Sequence, residues 1–185
     1  METPLTQNIA LGKAPPKLAE YEANGGYRAA RMALLEQRPD ELLALLKESN
    51  LRGRGGAGFP TAMKWSFVPM AKPATLDSKA EKIGPKYLVV NADEMEPGTF
   101  KDRLLMEGDP HQLIEGIILS AYTIQAETAY IFIRGEYTLC AELLSAAIRE
   151  CHQAGLLGEN ILHSRFNLQI HVHTSAGRYI CGEET

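Results

Sequence analysis

Between residues 87 and 174 short apolar runs alternate with long amphipathic segments, an order that few folds accommodate. "KYLVV", "AYIFIR" and "FNLQIHVHT" have strand length and are rich in β-branched and aromatic residues. Between them lie "DPHQLIEGIILSAYTIQ" and "LCAELLSAAIRECHQAG". The first opens on Asp-Pro and places Leu113, Ile114, Ile117, Ile118 and Ala121 on one helical stripe. The second carries Leu139, Leu143, Leu144, Ala147, Ile148 and Cys151 on its stripe and closes at Gly155. Helical crossovers of this length favour parallel pairing with right-handed connections, so the expected fold class is α/β, a parallel sheet with flanking helices. "KYLVV" reads as a buried strand. "FNLQIHVHT" alternates, with Leu168, Ile170 and Val172 facing one way and Gln169, His171 and His173 the other.

Ligands of parallel sheets sit beyond the carboxyl ends of the strands. "NADEMEPG" follows the first strand there, and "GRYICGEET" follows the last. Upstream, residues 1–25 are rich in proline and glycine and read as an extended arm. "GYRAARMALLEQ" and "RPDELLALLKESN" have helical periodicity, with Pro39 suited to a first turn. A glycine loop, "LRGRGGAGFPTAMKW" at 51–65, comes next, and "VPMAKPATLDSKAEKIGPK" then reads as a solvated surface insertion.

A chain of 185 residues fits one domain, able to bury roughly 70% of its unfolded surface. Its net charge of −4 gives no reason to expect a nucleic acid or an anionic membrane as partner. The longest apolar run, "LIEGIILSAYTI", contains Glu115 and is shorter than a membrane span, so direct membrane insertion is not expected. The amino terminus lacks the pattern of a targeting segment, and the chain reads as soluble and cytoplasmic. Cys140, Cys151 and Cys181 form no disulfide or metal pattern; the first two read as buried, reduced thiols on one helix face.

Gly53, Gly55 and Gly58 satisfy G-x-G-x-x-G, yet a helical stretch rather than a strand precedes them. Gly53 and Gly58 also begin a P-loop pattern, but Phe59 and Pro60 stand where Lys and Ser or Thr belong. A flexible surface loop is the remaining plain reading. Arg54 and Lys64 can neutralise a phosphate, glycine backbone can approach it closely, and Phe59, Trp65 and Phe67 offer flat apolar faces. An anion beside an aromatic ring points to a nucleotide.

Asp93, Glu94 and Glu96 crowd three carboxylates behind a strand. They can serve as an acid–base pair, a divalent-metal site, acceptors for sugar hydroxyls, or a turn that caps the next element. As sugar acceptors they would disfavour a 2′-phosphate, hence NADH over NADPH. His171 and His173 have no third ligand nearby, so no metal is expected. Ser175 sits outside any nucleophile elbow and Cys181 lacks an identifiable base, leaving no catalytic nucleophile.

Three ordered motifs, "GRGGAGFPTAMKW" at 53–65, "NADEMEPGTFKDR" at 91–103 and "SAGRYICGEET" at 175–185, together with "YIFIRGEY", resemble the flavin-bearing, NADH-oxidising F subunits of bacterial respiratory complex I. The resemblance runs from about Gly26 to Thr185, with one departure in Ala62, where the family has glycine after "FPT". It implies a Rossmann-like domain over 26–185 that holds FMN and stacks NADH on it, with the hydride step borne by the cofactor and no catalytic side chain needed. By motif position it implies that Gly53, Arg54, Gly55, Lys64, Asn91, Asp93, Gly182 and Glu183 surround FMN. It places Gly56, Ala57, Phe59, Phe67, Glu96, Tyr179 and Glu184 against NADH.

The resemblance further implies electron transfer through iron–sulfur clusters to quinone, and partners among the peripheral-arm subunits, especially the [2Fe–2S] subunit. It implies a place on the cytoplasmic side of the inner membrane, held through complex I. The family's ubiquitin-like domain and the domain holding its [4Fe–4S] ligands are not found in these residues, so the chain reads as an amino-terminal fragment, with its sheet incomplete at the carboxyl terminus. Flavin subunits of NAD-linked hydrogenases and formate dehydrogenases share the motifs. A noncatalytic nucleotide-binding or assembly fragment is the reading from another class.

Overall fold

A computed structural model describes residues 3–10, 12–71 and 83–180. Three strands, β1 (Tyr87–Ala92), β2 (Thr128–Ile133) and β3 (Gln169–Thr174), form one sheet in that order, and both pairings are parallel. The register aligns Val89, Tyr130 and His171 in one row and Asn91, Phe132 and His173 in the next. Among the described residues seven α-helices accompany them: α1 (Leu18–Ala23), α2 (Arg28–Glu36), α3 (Pro39–Glu48), α4 (Thr61–Ser66), α5 (Lys101–Gly108), α6 (Pro110–Ile124) and α7 (Thr138–Gln153).

The crossover helices are where the periodicity places them. Asp109 caps α6, its side chain accepting the Gln112 N–H at 3.1 Å, and Pro110 occupies the first turn. Ile114, Ile117, Ile118 and Ala121 are buried on α6, as are Leu144, Ala147, Ile148 and Cys151 on α7. These stripes cover one face of the sheet, whose inward residues Ala129, Ile131, Ile133 and Ile170 complete the core. Cys140 and Cys151 are both buried and free, as expected.

Three expectations change. Leu139 is 50% exposed, because it stands in the first turn of α7 at the rim of a surface cleft shared with Phe100, Arg103 and Tyr137. "KYLVV" is covered on one side only: Leu88 and Val90 turn toward the helices, whereas Tyr87 and Val89 are exposed at 58% and 65%. The same outer face carries Tyr130, His171 and His173, with His173 stacked on Phe132 at a centroid distance of 5.6 Å. β3 therefore alternates as its sequence does. Finally, the arm is helical at Leu18–Ala23 and fastened to the body: Asn8 donates to Asp109, Gln112 donates to the Pro4 carbonyl, and the Leu18 N–H donates to Glu150.

A buried polar cluster explains that fastening. Glu115, on the inner side of α6, accepts the Tyr21 hydroxyl at 2.7 Å and the N–H groups of Tyr27 and Ala30. Tyr27 is the amino-terminal cap residue of α2 and has no side-chain capping bond of its own, so Glu115 satisfies donors that the helix start leaves open. The Tyr27 hydroxyl lies 2.9 Å from His111 Nδ1 and 3.1 Å from Cys151 Sγ. Residues 72–82, the middle of the expected surface insertion, lie outside the described residues.

Candidate functional site

Asp93 stands directly after β1, within reach of Ser175 directly after β3. Asn91 closes the local turn, its side-chain oxygen accepting the Asp93 N–H at 3.1 Å. Asp93 is 7% exposed; its Oδ1 accepts the Ser175 hydroxyl at 3.1 Å, and its Oδ2 is buried with no partner among the described residues. An orphaned carboxylate oxygen at the end of a parallel strand is an acceptor waiting for a ligand's N–H or O–H. Glu96, a few residues on, accepts the Tyr179 hydroxyl, joining the loop after β1 to the loop after β3.

Glu94 plays a different part. Its side chain is 2% exposed and accepts the N–H groups of Asp102 at 2.9 Å and Arg103 at 3.2 Å. These are the second and third residues of α5, whose cap residue Phe100 offers no acceptor. Tyr137 adds its hydroxyl at 3.1 Å, and burial beside this carboxylate raises the Tyr137 pKa. The capping reading of the acidic motif therefore holds for Glu94, while Asp93 and Glu96 remain facing the strand ends. Arg134, just after β2, donates to the Glu94 carbonyl at 2.9 Å and holds the same loop from the other side.

The glycine loop is built on α3 and α4. Its ends are pinched by Arg52 pairing with Pro60, with Gly53 N–H donating to the Phe59 carbonyl at 2.9 Å. Gly56 and Gly58 have φ of 117° and 63°, backbone that favours glycine, and a Cβ at Gly55, Gly56 or Gly58 would meet nothing within 4 Å. The loop is thus an open rim of backbone. Arg54 and Lys64 are exposed on it, and Phe59 and Phe67, also exposed, stand 6.5 Å apart between ring centroids. Trp65 packs inward against the core instead. Ala62 is buried inside α4, so this position needs no left-handed backbone.

Of the residues implied by resemblance, Asn91, Asp93, Glu96 and Tyr179 gather at the strand ends, and Gly53, Arg54, Gly55, Gly56, Ala57, Phe59, Lys64 and Phe67 make up the glycine loop and its helix. Gly182, Glu183 and Glu184 lie outside the described residues, as does Cys181. Among the described residues no cluster of three or more His, Cys, Asp or Glu side chains is placed to hold a metal ion. Ser175, read from sequence only as an unconvincing nucleophile, proves to be the partner of Asp93. Its position one residue past an alternating strand was the available signal.

A parallel α/β sheet whose strand ends carry a buried carboxylate belongs to the α/β class whose ligands sit beyond the carboxyl ends of the strands. Residues 46–185 match the family model described as the Nuo51 FMN-binding domain, and the chain belongs to that family. It is 62% identical over 168 residues to the F 2 subunit of NADH-quinone oxidoreductase from Rhizobium meliloti (strain 1021), covering 91% of this chain and 38% of that protein. Against the F subunit of NADH-quinone oxidoreductase from Escherichia coli (strain K12) the identity is 50% over 182 residues, covering 98% and 39%. The chain thus spans about two-fifths of the length of these relatives. Among solved structures, an NAD+-reducing [NiFe]-hydrogenase in the H2-reduced state matches with a TM-score of 0.68 and 33% identity, covering 99% of this chain and 27% of the hydrogenase chain. No described helix is long and apolar enough to cross a membrane.

Proposed function

We propose that residues 26–185 form the FMN- and NADH-binding part of an NADH dehydrogenase flavoprotein subunit, with the arm before it strapped to its helical side through Pro4, Asn8 and Leu18. The observation that carries this reading is the buried Oδ2 of Asp93, which has no partner among the described residues. A flavin nucleotide fits it: its ring imide and ribityl hydroxyls are donors of the kind a buried carboxylate requires, and its phosphate needs cations, which the glycine loop supplies in Arg54 and Lys64. Bound FMN would accept a hydride from NADH and release electrons onward.

In this reading Gly53, Arg54, Gly55, Lys64, Asn91 and Asp93, joined by Gly182 and Glu183, hold FMN, and Gly56, Ala57, Phe59, Phe67, Glu96 and Tyr179, joined by Glu184, receive NADH. Phe59 and Phe67 give a flat apolar seat for an adenine. Glu96 and Glu184 accept ribose hydroxyls and oppose a 2′-phosphate, which favours NADH over NADPH. Onward electron transfer to iron–sulfur clusters and quinone requires other parts of the longer relatives' architecture and neighbouring subunits, of which the [2Fe–2S] subunit of complex I is the proposed partner. Such an assembly holds the subunit on the cytoplasmic face of the membrane. The hydrogenase likeness supports a second reading, a flavin subunit of an NAD-linked hydrogenase, with the same site chemistry.

The test is reconstitution. FMN added to the purified protein should bind with quenched fluorescence and bleach on anaerobic addition of NADH. Asp93→Ala should weaken FMN binding by about tenfold or more, the loss of one charge-assisted bond. FMN binding with no bleaching leaves the noncatalytic nucleotide-binding reading; no binding at all defeats the site as drawn.

A further inference from the structure

We infer that Ser175 is a positioning residue that selects which oxygen of Asp93 is offered to the ligand; the inference rests on the flavin-site reading above. Ser175 is 6% exposed and follows directly on β3. Its N–H donates to the Ile133 carbonyl at 2.8 Å, carrying the β2–β3 pairing one residue past the strands. Its own carbonyl oxygen lies 2.7 Å from where a Cβ on Gly135 would stand, so only glycine lets the β2–α7 turn close over it. The residue is therefore clamped from the β2 side through its backbone, and its side chain alone reaches β1.

A serine hydroxyl has one proton to give and lone pairs to receive with. The Ser175 oxygen accepts the Gly177 N–H at 3.1 Å, and its proton goes to Asp93 Oδ1 at 3.1 Å. Gly177 N–H can only donate, so the hydroxyl oxygen receives there and its proton is left for the Asp93 oxygen. Asp93 is thus held at Oδ1 by a group locked to β2, while the Asn91 side chain fixes its backbone N–H. What remains is Oδ2, buried and without a partner among the described residues. Without the hydroxyl, the carboxylate is free to turn, and both oxygens lose their fixed aim. Ser175 touches no ligand in this scheme and acts wholly through Asp93.

The experiment is a double-mutant cycle on FMN affinity, read by flavin fluorescence, with the visible spectrum of bound FMN as a second readout. S175A should raise the FMN Kd about five- to tenfold and shift the bound-flavin band, and S175T, which keeps a hydroxyl, should restore both. In a D93A background S175A should add nothing, since the residue through which it works is gone. Equal affinity of S175A and the parent protein, or an undiminished effect of S175A in the D93A background, overturns the inference while leaving the flavin site standing. Failure of the parent protein to bind FMN overturns the flavin reading and the inference with it. Should S175A lose its cooperative thermal transition, S175C takes its place: a weak S–H donor should give an intermediate Kd, and parent-like binding would overturn the inference.

Discussion

Glu94→Ala tests the division of labour among the three carboxylates. The substitution removes the acceptor for two N–H groups at the start of α5 and for the Tyr137 hydroxyl, from a side chain only 2% exposed. Loss of a helix cap costs about 1 kcal/mol. A hydroxyl deprived of its charged acceptor in a largely covered position costs roughly 2 kcal/mol more. Lys101, 3.8 Å away but half exposed, adds little. The sum, about 3 kcal/mol, lowers Tm by about 6–12 °C in a domain of this size. Glu94→Gln, which keeps one carbonyl oxygen, should lose about half as much. Both are read by thermal unfolding followed by circular dichroism, with FMN affinity measured well below the transition. A Glu94→Ala protein that keeps its Tm within about 2 °C of the parent yet loses FMN affinity more than about tenfold would refute the reasoning. Glu94 would then be a ligand group, and α5 would be held by something else.

Acid should weaken the fold through His111. Burial lowers its pKa against the opposing pull of Glu150, Asp109 and Glu22, so below about 6.5 the unfolded chain binds the proton more readily than the folded one. Stability is therefore full above that pH and falls as pH drops through it; the urea midpoint should decline from pH about 7.5 to about 5.5, and His111→Gln should flatten that slope even though it lowers the midpoint overall. The thiols should be inert: burial pushes the pKa of Cys151 up to about 12 and that of Cys140 up to about 11. Peptide mapping after iodoacetamide at neutral pH should find both unmodified in the native protein and both alkylated in guanidinium, and fast native alkylation of Cys151 would contradict its burial.

The crossover helices were legible because their apolar stripes and their starts are local signals. Asp109 caps the helix it precedes, and Ile114, Ile117 and Ile118 point the way their spacing says. β3 was legible for the same reason, since polar and apolar residues alternate along it. β1 was not: a run such as "KYLVV" has no period-two contrast, so nothing local says that Tyr87 and Val89 face outward. Glu115 is the sharper case. In sequence it is a charge interrupting an apolar run, and its burial follows from donors at Tyr21, Tyr27 and Ala30, residues distant along the chain.

The acidic motif shows why a site can be recognised before it can be partitioned. Asp93, Glu94 and Glu96 are chemically near-equivalent and lie within four positions, so no propensity or period separates them. What separates them is which donors the fold brings up. α5 starts where its second and third N–H groups reach Glu94, which is consumed in capping. β3 ends where Ser175 reaches one oxygen of Asp93 and spares the other. Tyr179 reaches Glu96 from the loop beyond β3. Each assignment depends on an element at least eight residues away, two of them on β3 and the loop after it, which come within reach of the loop after β1 only through two crossovers and the parallel register across β2. The ligand-binding capacity of the motif is therefore a property of the sheet: any change that shifts the end of β3 relative to β1 should remove Asp93 from the site while leaving Glu94 and α5 intact.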